Sequence, residues 1–288
     1  METNEILKRV RRIEIKTKGL SQHIFAGEYH SAFKGKGMEF SEVREYQYGD
    51  DIRSIDWNVT ARFNHPYVKI YEEERELTVM LLIDVSGSRE FASQVRLKKN
   101  LITEIAAVLA FSAISNNDKI GAILFSDKIE KFIPPKKGTQ HILRIIRELI
   151  YFEPESKGTD ISNALQYLIN AIKKRSIAFL ISDFMDQGYE DALKIGNRKH
   201  DLIALRIYDK RESMLPDIGL ICMKDAETGK ICWADSSMKR VRDAYLDHWI
   251  TTSRQIHEIF KKHGVDYADI ATHEDYVKPL IQLFKKRG

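Results

Sequence analysis

The stretch Leu77-Thr-Val-Met-Leu-Leu-Ile-Asp-Val-Ser-Gly-Ser88 opens with an uncharged aliphatic run and closes with three oxygen-bearing side chains around a glycine. A run of this length without charge predicts a strand buried on both faces, as in a parallel sheet. It stops at Asp84-x-Ser86-x-Ser88, and a long helical pattern follows. In open α/β sheets ligands bind outside the carboxyl ends of the strands. Carboxylate and hydroxyl oxygens suit a hard divalent cation, and no thiolate or imidazole stands nearby to suggest zinc or copper. The stretch therefore predicts a Mg²⁺-type site at the top of a parallel sheet.

Downstream, the pattern alternates. Val95, Leu97, Leu101, Ile102, Ile105, Val108, Leu109 and Ile114 make residues 95–115 a helix that is apolar on more than half its circumference, with a polar exit at Asn116-Asn117-Asp118. Strands are expected at Lys119–Ser126 and at Ile129–Ile133, the second ended by Pro134-Pro135. An amphipathic helix follows over 139–151, and Gly158-Thr159-Asp160 opens another that runs to about Lys174. Ser176–Ser182 reads as a second fully buried strand, and it too ends in an acid, Asp183. A helix near 189–197, a strand at Leu202–Tyr208, a hairpin over Leu220–Trp233 turning at Glu227-Thr228-Gly229, a helix from about Ser237 to His263, a strand at Val265–Ile270 and a helix from about Glu274 complete the chain. This alternation predicts an α/β fold with a doubly wound, mostly parallel sheet over residues 77–288.

Upstream, residues 1–76 have a different character. Ile6, Leu7, Val10 and Ile13 predict a short amphipathic helix over 4–14, whose basic side (Lys8, Arg9, Arg11, Arg12) reads as a solvated face. From Gly27 to Arg75, glycine, aromatic and charged residues predict a strand/loop lobe with too few aliphatics for a core of its own. Asp50, Asp51, Arg53, Asp56 and Arg62 read as ion pairs that hold this lobe together with Tyr46, Tyr48 and Trp57. Gly35 and Gly37 make no phosphate loop, since no Lys-Ser/Thr follows them.

Bulk composition narrows the function classes. The 288 residues, 43% hydrophobic and 31% charged, describe an ordinary folded chain. A net charge of +4, spread along the sequence, does not point to nucleic acid. The charged N-terminus is no secretory leader, and the apolar runs fall short of a membrane span, so a cytoplasmic location is the expectation. Cys222 and Cys232 flank the hairpin turn and are expected to face each other as reduced structural thiols; two cysteines are too few for a disulfide framework or a zinc cage.

If the strands ending at Asp84 and Asp183 are neighbours at a topological switch point, Asp84, Ser86, Ser88, Thr159 and Asp183 converge. Two carboxylates and three hydroxyls hold Mg²⁺, or Mn²⁺ or Ca²⁺ in its place, and leave a position for a carboxylate from another molecule. Taken singly, Ser86 and Ser88 also fit a turn and a helix cap, Thr159 also fits a cap, and Asp160 fits a first-turn acid better than a ligand.

In order and context, the five residues resemble the metal-ion-dependent adhesion site (MIDAS) of von Willebrand factor A domains. The upstream residues Glu39-Phe, Arg44-Glu-Tyr, Gly49-Asp-Asp-x-Arg53-x-Ile-Asp-Trp57, Ala61-Arg62 and Val68-Lys-x-Tyr-Glu-Glu-Glu-Arg75 are similar to the signature of the bacterial domain-of-unknown-function family 58. That resemblance implies a von Willebrand factor A-like fold and a metal-dependent protein-binding module. It also implies an adaptor or chaperone-system role with a MoxR-type AAA+ ATPase or its client, contacted through an acidic side chain of the partner, and it implies no enzymatic activity. The competing expectation is a Mg²⁺-dependent phosphohydrolase with Asp84 as nucleophile. Such enzymes need an acid/base carboxylate two residues on, where this chain has Ser86.

Overall fold

The computed structural model describes residues 38–73, 77–87, 98–224 and 229–287. The helix expected over 4–14, Gly35, Gly37 and Ser88 lie outside the described residues.

Lys34–Leu77 form a compact unit. Its strands β1 (Met38–Glu45) and β2 (Tyr67–Glu73) are antiparallel, with a register shift between Phe40 and Glu42. The connection holds a 3₁₀ turn at Ile52–Ser54 and a short helix, α1 (Trp57–Phe63), that the aromatic-rich sequence conceals. Asp56 caps α1 by accepting hydrogen bonds from the amides of Asn58 and Val59, and Asn64 ends it in the left-handed conformation at φ 57°. Arg44 grips both oxygens of Asp50 at 2.7 and 2.8 Å, and Lys69 stands 3.4 Å from Asp56. The expectation that Tyr48 and Trp57 hold the lobe is corrected: both side chains face solvent, and among the described side chains of this unit Val68 is the buried one.

The second unit includes Thr78–Gly288. In chain order its described elements are β3 (Thr78–Asp84), α2 (Lys98–Ser115), β4 (Lys119–Phe125), β5 (Ile129–Lys136), α3 (Thr139–Tyr151), α4 (Ile161–Ala171), β6 (Ile177–Ser182), α5 (Glu190–Lys199), β7 (Asp201–Tyr208), the single turn α6 (Lys210–Ser213), the hairpin strands β8 (Leu220–Lys224) and β9 (Ile231–Asp235), α7 (Lys239–His263), β10 (Asp266–Ala271) and α8 (Val277–Arg287). Six strands form one sheet in the order β10-β7-β6-β3-β4-β5, parallel except for β5.

The unbroken apolar run of β3 is explained by its central place, flanked by β4 and β6 and buried on both faces. Met80 and Leu82 face a cluster with Ile161, Leu165 and Leu168 of α4, Leu193 of α5 and Phe260 of α7. On β6, Phe179 packs edge-on against Phe284 of α8, with ring centroids 6.4 Å apart. Truncating a central residue such as Leu82 to alanine costs about 2–5 kcal/mol.

Three elements depart from expectation. β5 continues through Pro134 and Pro135 to Lys136 instead of stopping at Ile133. It is an edge strand, and Pro134 and Pro135 fall in the shift of its register against β4 between Ile120 and Ala122, where neither has a ladder partner. Gly121 sits at this shift, where a Cβ would lie 2.8 Å from the Ile133 carbonyl and 2.9 Å from the Pro135 nitrogen. In the hairpin, Cys222 pairs with Trp233 and Cys232 with Met223, so the two thiols project to opposite faces and do not confront each other. Both are exposed and free. The helix opened by Gly158-Thr159-Asp160 is also shorter than expected, ending at Ala171. Among the described residues no helix is long and apolar enough to cross a membrane.

Candidate functional site

From β3 the chain moves first to β4 on one side and later to β6 on the other, so the topological switch point lies between β3 and β6. These strands are parallel, with Ile83 opposite Ile181, and Asp84 and Asp183 therefore leave the same sheet edge on adjacent strands. A crevice at the carboxyl ends of the strands is the usual ligand position in this architecture.

Asp84 is buried. One carboxylate oxygen accepts the Ser86 amide at 2.9 Å, and the other accepts the Ser182 hydroxyl at 2.7 Å. Among the described residues no basic side chain pairs with it. Burial, followed by the nearby charge of Asp183, pushes the Asp84 carboxyl up to about 6 against the pull of the Ser182 and Ser86 hydrogen bonds. Ser86 is also buried.

Asp183 is held on several sides. Its side chain accepts the Met185 amide at 3.2 Å and the Lys98 ammonium at 3.1 Å, and its carbonyl accepts from Arg206 Nε at 3.3 Å. The next residue, Phe184, has φ 60°, a left-handed conformation that costs an aromatic residue about 1–2 kcal/mol. Two contacts hold it there. Its amide donates to Ser182 Oγ at 3.1 Å, and its buried ring meets Phe260 edge-on at 4.9 Å. Hydrophobic anchorage thus turns the backbone sharply after Asp183.

Thr159 reaches this edge on the loop between α3 and α4. The Gly87 amide donates to the Lys157 carbonyl at 3.0 Å, which lays the loop beside the residues that follow Asp84. The Asp160 amide donates to the Ser126 carbonyl at 2.9 Å, and Ser156 Oγ donates to Asp127 at 2.8 Å, tying the same loop to the β4–β5 turn. Asp160 caps α4 by accepting from the Asn163 amide, and Asp186 accepts the Ile161 amide at 2.9 Å, joining the loop after β6 to the same helix start. Three loops thus meet at one edge: the first carries Asp84 and Ser86, the second Thr159, the third Asp183. Ser88 lies outside the described residues.

Sequence inspection missed several contributors. Ser182 is visible in Ile-Ser-Asp but carries no mark of its bond to Asp84. Lys98 looks like any lysine at a helix start, yet it is buried at 1% exposure and its ammonium lies between Asp183 and Glu212, at 3.1 and 2.7 Å. Burial disfavours its charge, but the two carboxylates outweigh this and raise the lysine above its ordinary value. Burial likewise raises Glu212 in spite of Lys98. Glu212 is fixed by a capping box on α6, where its other oxygen accepts the Asp209 amide at 2.8 Å.

Chemically, the edge offers hard oxygen donors. Among the described residues no three acidic, histidine or cysteine side chains gather as a metal-binding group, so a cation here depends on hydroxyls as well as on the two aspartates. Asp84 and Asp183, close enough to raise each other's cost of ionisation, fit a divalent cation that removes this repulsion.

The sheet order, the helices on both faces and the switch-point edge define a von Willebrand factor A-like α/β domain. The chain belongs to the family described as "Protein of unknown function DUF58", which matches residues 42–255. The uncharacterised protein Rv1480 of Mycobacterium tuberculosis is 30% identical over 281 residues, or 96% of this chain and 88% of the relative. The uncharacterised protein YeaD of Bacillus subtilis is 31% identical over 110 residues, 38% of this chain and 25% of YeaD. Among solved structures, the conserved hypothetical protein BatB of Bacteroides thetaiotaomicron aligns with a TM-score of 0.50 at 17% identity, covering 73% of this chain and 98% of BatB. An aerotolerance-related membrane protein of Bacteroides fragilis aligns with the same score and coverage at 16% identity. At these identities the structural likeness is one of fold.

Proposed function

We propose that this chain is a non-enzymatic protein-binding module whose binding depends on a divalent cation, Mg²⁺ or Mn²⁺, at the edge that carries Asp84, Ser86, Thr159 and Asp183, with Ser88 as the further oxygen ligand that the Asp-x-Ser-x-Ser pattern supplies. The observation that carries this is the buried Asp84 carboxylate. It has hydroxyl and amide partners, no basic partner among the described residues, and a second carboxylate nearby. Leaving such a charge uncompensated is costly, and a bound cation supplies the compensation. Ser86 and Thr159 add neutral oxygen donors, Arg206 holds the Asp183 backbone, and the Met185 amide and Lys98 hold its carboxylate. A cation so ligated retains an open coordination position that a carboxylate of a partner completes. The family resemblance names a MoxR-type AAA+ ATPase or its client as that partner.

A phosphohydrolase centred on Asp84 is less well supported. Ser86 stands where the acid/base carboxylate is required and transfers no proton near neutral pH. The deciding experiment is capture of a MoxR-type AAA+ ATPase from the same organism, with Mg²⁺ or with EDTA, by wild type and by Asp84→Ala. Capture that needs Mg²⁺ and Asp84 is expected. Capture indifferent to both rules out the metal-dependent module, and Mg²⁺-dependent turnover of phosphate esters lost in Asp84→Asn favours the hydrolase.

A further inference from the structure

An ammonium buried like that of Lys98 is tolerated only when paired, and here two acids share it, Asp183 from the candidate site and Glu212 from α6. Buried ion groups of this kind are seldom a source of stability, since well-packed apolar side chains do as well or better. What sets this group apart is its position, because one of its members is a carboxylate of the candidate metal site. Among the described residues Lys98 makes no hydrogen bond to Asp84, so it compensates one side of the site and leaves the other open.

We propose that Lys98 is a positioning residue that sets the charge of the metal site. It draws the Asp183 carboxylate toward itself, and it cancels one of the three acidic charges contributed by Asp84, Asp183 and Glu212. This inference rests on the metal-binding function proposed above. With Lys98 in place, a divalent cation brings the cluster to neutrality and still attracts an anionic ligand from a partner. Without it, the three carboxylates over-neutralise the ion, which then binds tightly to the chain but gains little from a further carboxylate. Lys98 therefore trades metal affinity for partner affinity. Glu212 moderates that trade from a fixed position, because the α6 capping box and the Asp209–Thr272 hydrogen bond hold its turn against β10.

Calorimetric titration of the full chain with Mn²⁺ tests this, with Asp84→Asn defining the binding that belongs to this site. At an effective dielectric constant of about 20, removing one nearby positive charge tightens Mn²⁺ binding by on the order of tenfold or more in Lys98→Met. Glu212→Gln, which removes a negative charge, weakens it by a similar factor. The double variant Lys98→Met/Glu212→Gln has the net charge of wild type and returns to within about threefold of wild-type affinity. A purely structural triad shifts the melting temperature of these variants without this pattern of opposite changes and restoration. Should Lys98→Met not fold, Glu212→Gln and the charge-balanced double variant still decide. Wild-type binding with unchanged or weakened affinity in Lys98→Met, or failure of the double variant to restore it, overturns the role of Lys98 alone. Absence of Mn²⁺ binding in both wild type and Lys98→Met overturns the metal site itself.

Discussion

At the amino-terminal end of the sheet, Asp201 opens β7, Asp266 opens β10, and Arg287 holds both, at 2.5 and 2.7 Å. At the carboxyl-terminal end, Asp84 closes β3, and among the described residues its partners are a hydroxyl and an amide. The histidine near the first end is buried and kept neutral, with Ser176 hydrogen-bonded to its Nδ1 at 2.9 Å. The lysine near the second is buried and kept charged. One end thus keeps its histidine neutral and pairs its charges, as a structural cap does, whereas the other gathers charge that the described residues only partly balance. Charge left unbalanced in a buried place is the physical mark of a site made to receive something.

The largest effect expected on stability is at the charged end. Lys98→Met leaves Asp183 and Glu212 buried without their counter-ion and lowers unfolding free energy in EDTA by about 3–5 kcal/mol, measured by urea denaturation. Asp84→Asn is expected to behave in the opposite way. It deletes a buried charge that no base among the described residues compensates, so stability in EDTA is equal or higher, while Mn²⁺ affinity falls by on the order of 100-fold. A clear loss of stability in EDTA would show that Asp84 is a structural acid like those at the other end.

His200 sharpens the comparison through pH. Burial, helped by Lys199 and Arg175, lowers its pKa to about 4 from an ordinary 6.5. Because the folded state resists the proton that the unfolded chain accepts, this contribution is complete above pH 6.5 and is lost as pH falls from 6.5 toward 4. Relative to His200→Gln, wild type should lose ~2 kcal/mol between pH 7 and pH 5, read from denaturation curves. The smallest effect belongs to Arg287→Met. Its partners are about one-third exposed, at 29% and 33%, so solvent screens the pair and the loss is ~1 kcal/mol, independent of metal.

The architecture was largely legible in the residue pattern. The uncharged runs ending at Asp84 and Asp183 identified the two central strands, and the alternation after them identified the doubly wound sheet. Periodicity carried that information because burial on both faces admits few other residue types. Proline ends most strands, so the residue pattern stops β5 at Ile133, whereas its place at the sheet edge, with both prolines in the register shift, admits Pro134 and Pro135. Within the candidate site, Asp84, Ser86, Thr159 and Asp183 stood out as oxygen donors at strand ends and helix starts. Lys98 and Glu212 did not, being far apart in sequence and ordinary in composition, and their pairing exists only once α2 and α6 are packed. The left-handed Phe184 was equally invisible, since its strain is sustained by Phe260 on a distant helix.

The most direct test is a crystal of the full chain grown with Mn²⁺ and examined by anomalous scattering at the manganese edge. A peak at the carboxyl end of β3, enclosed by Asp84, Ser86 and Thr159 with Asp183 facing it, is the predicted result. Crystals that show manganese only on other acids, with water alone between Asp84 and Thr159, would contradict the account.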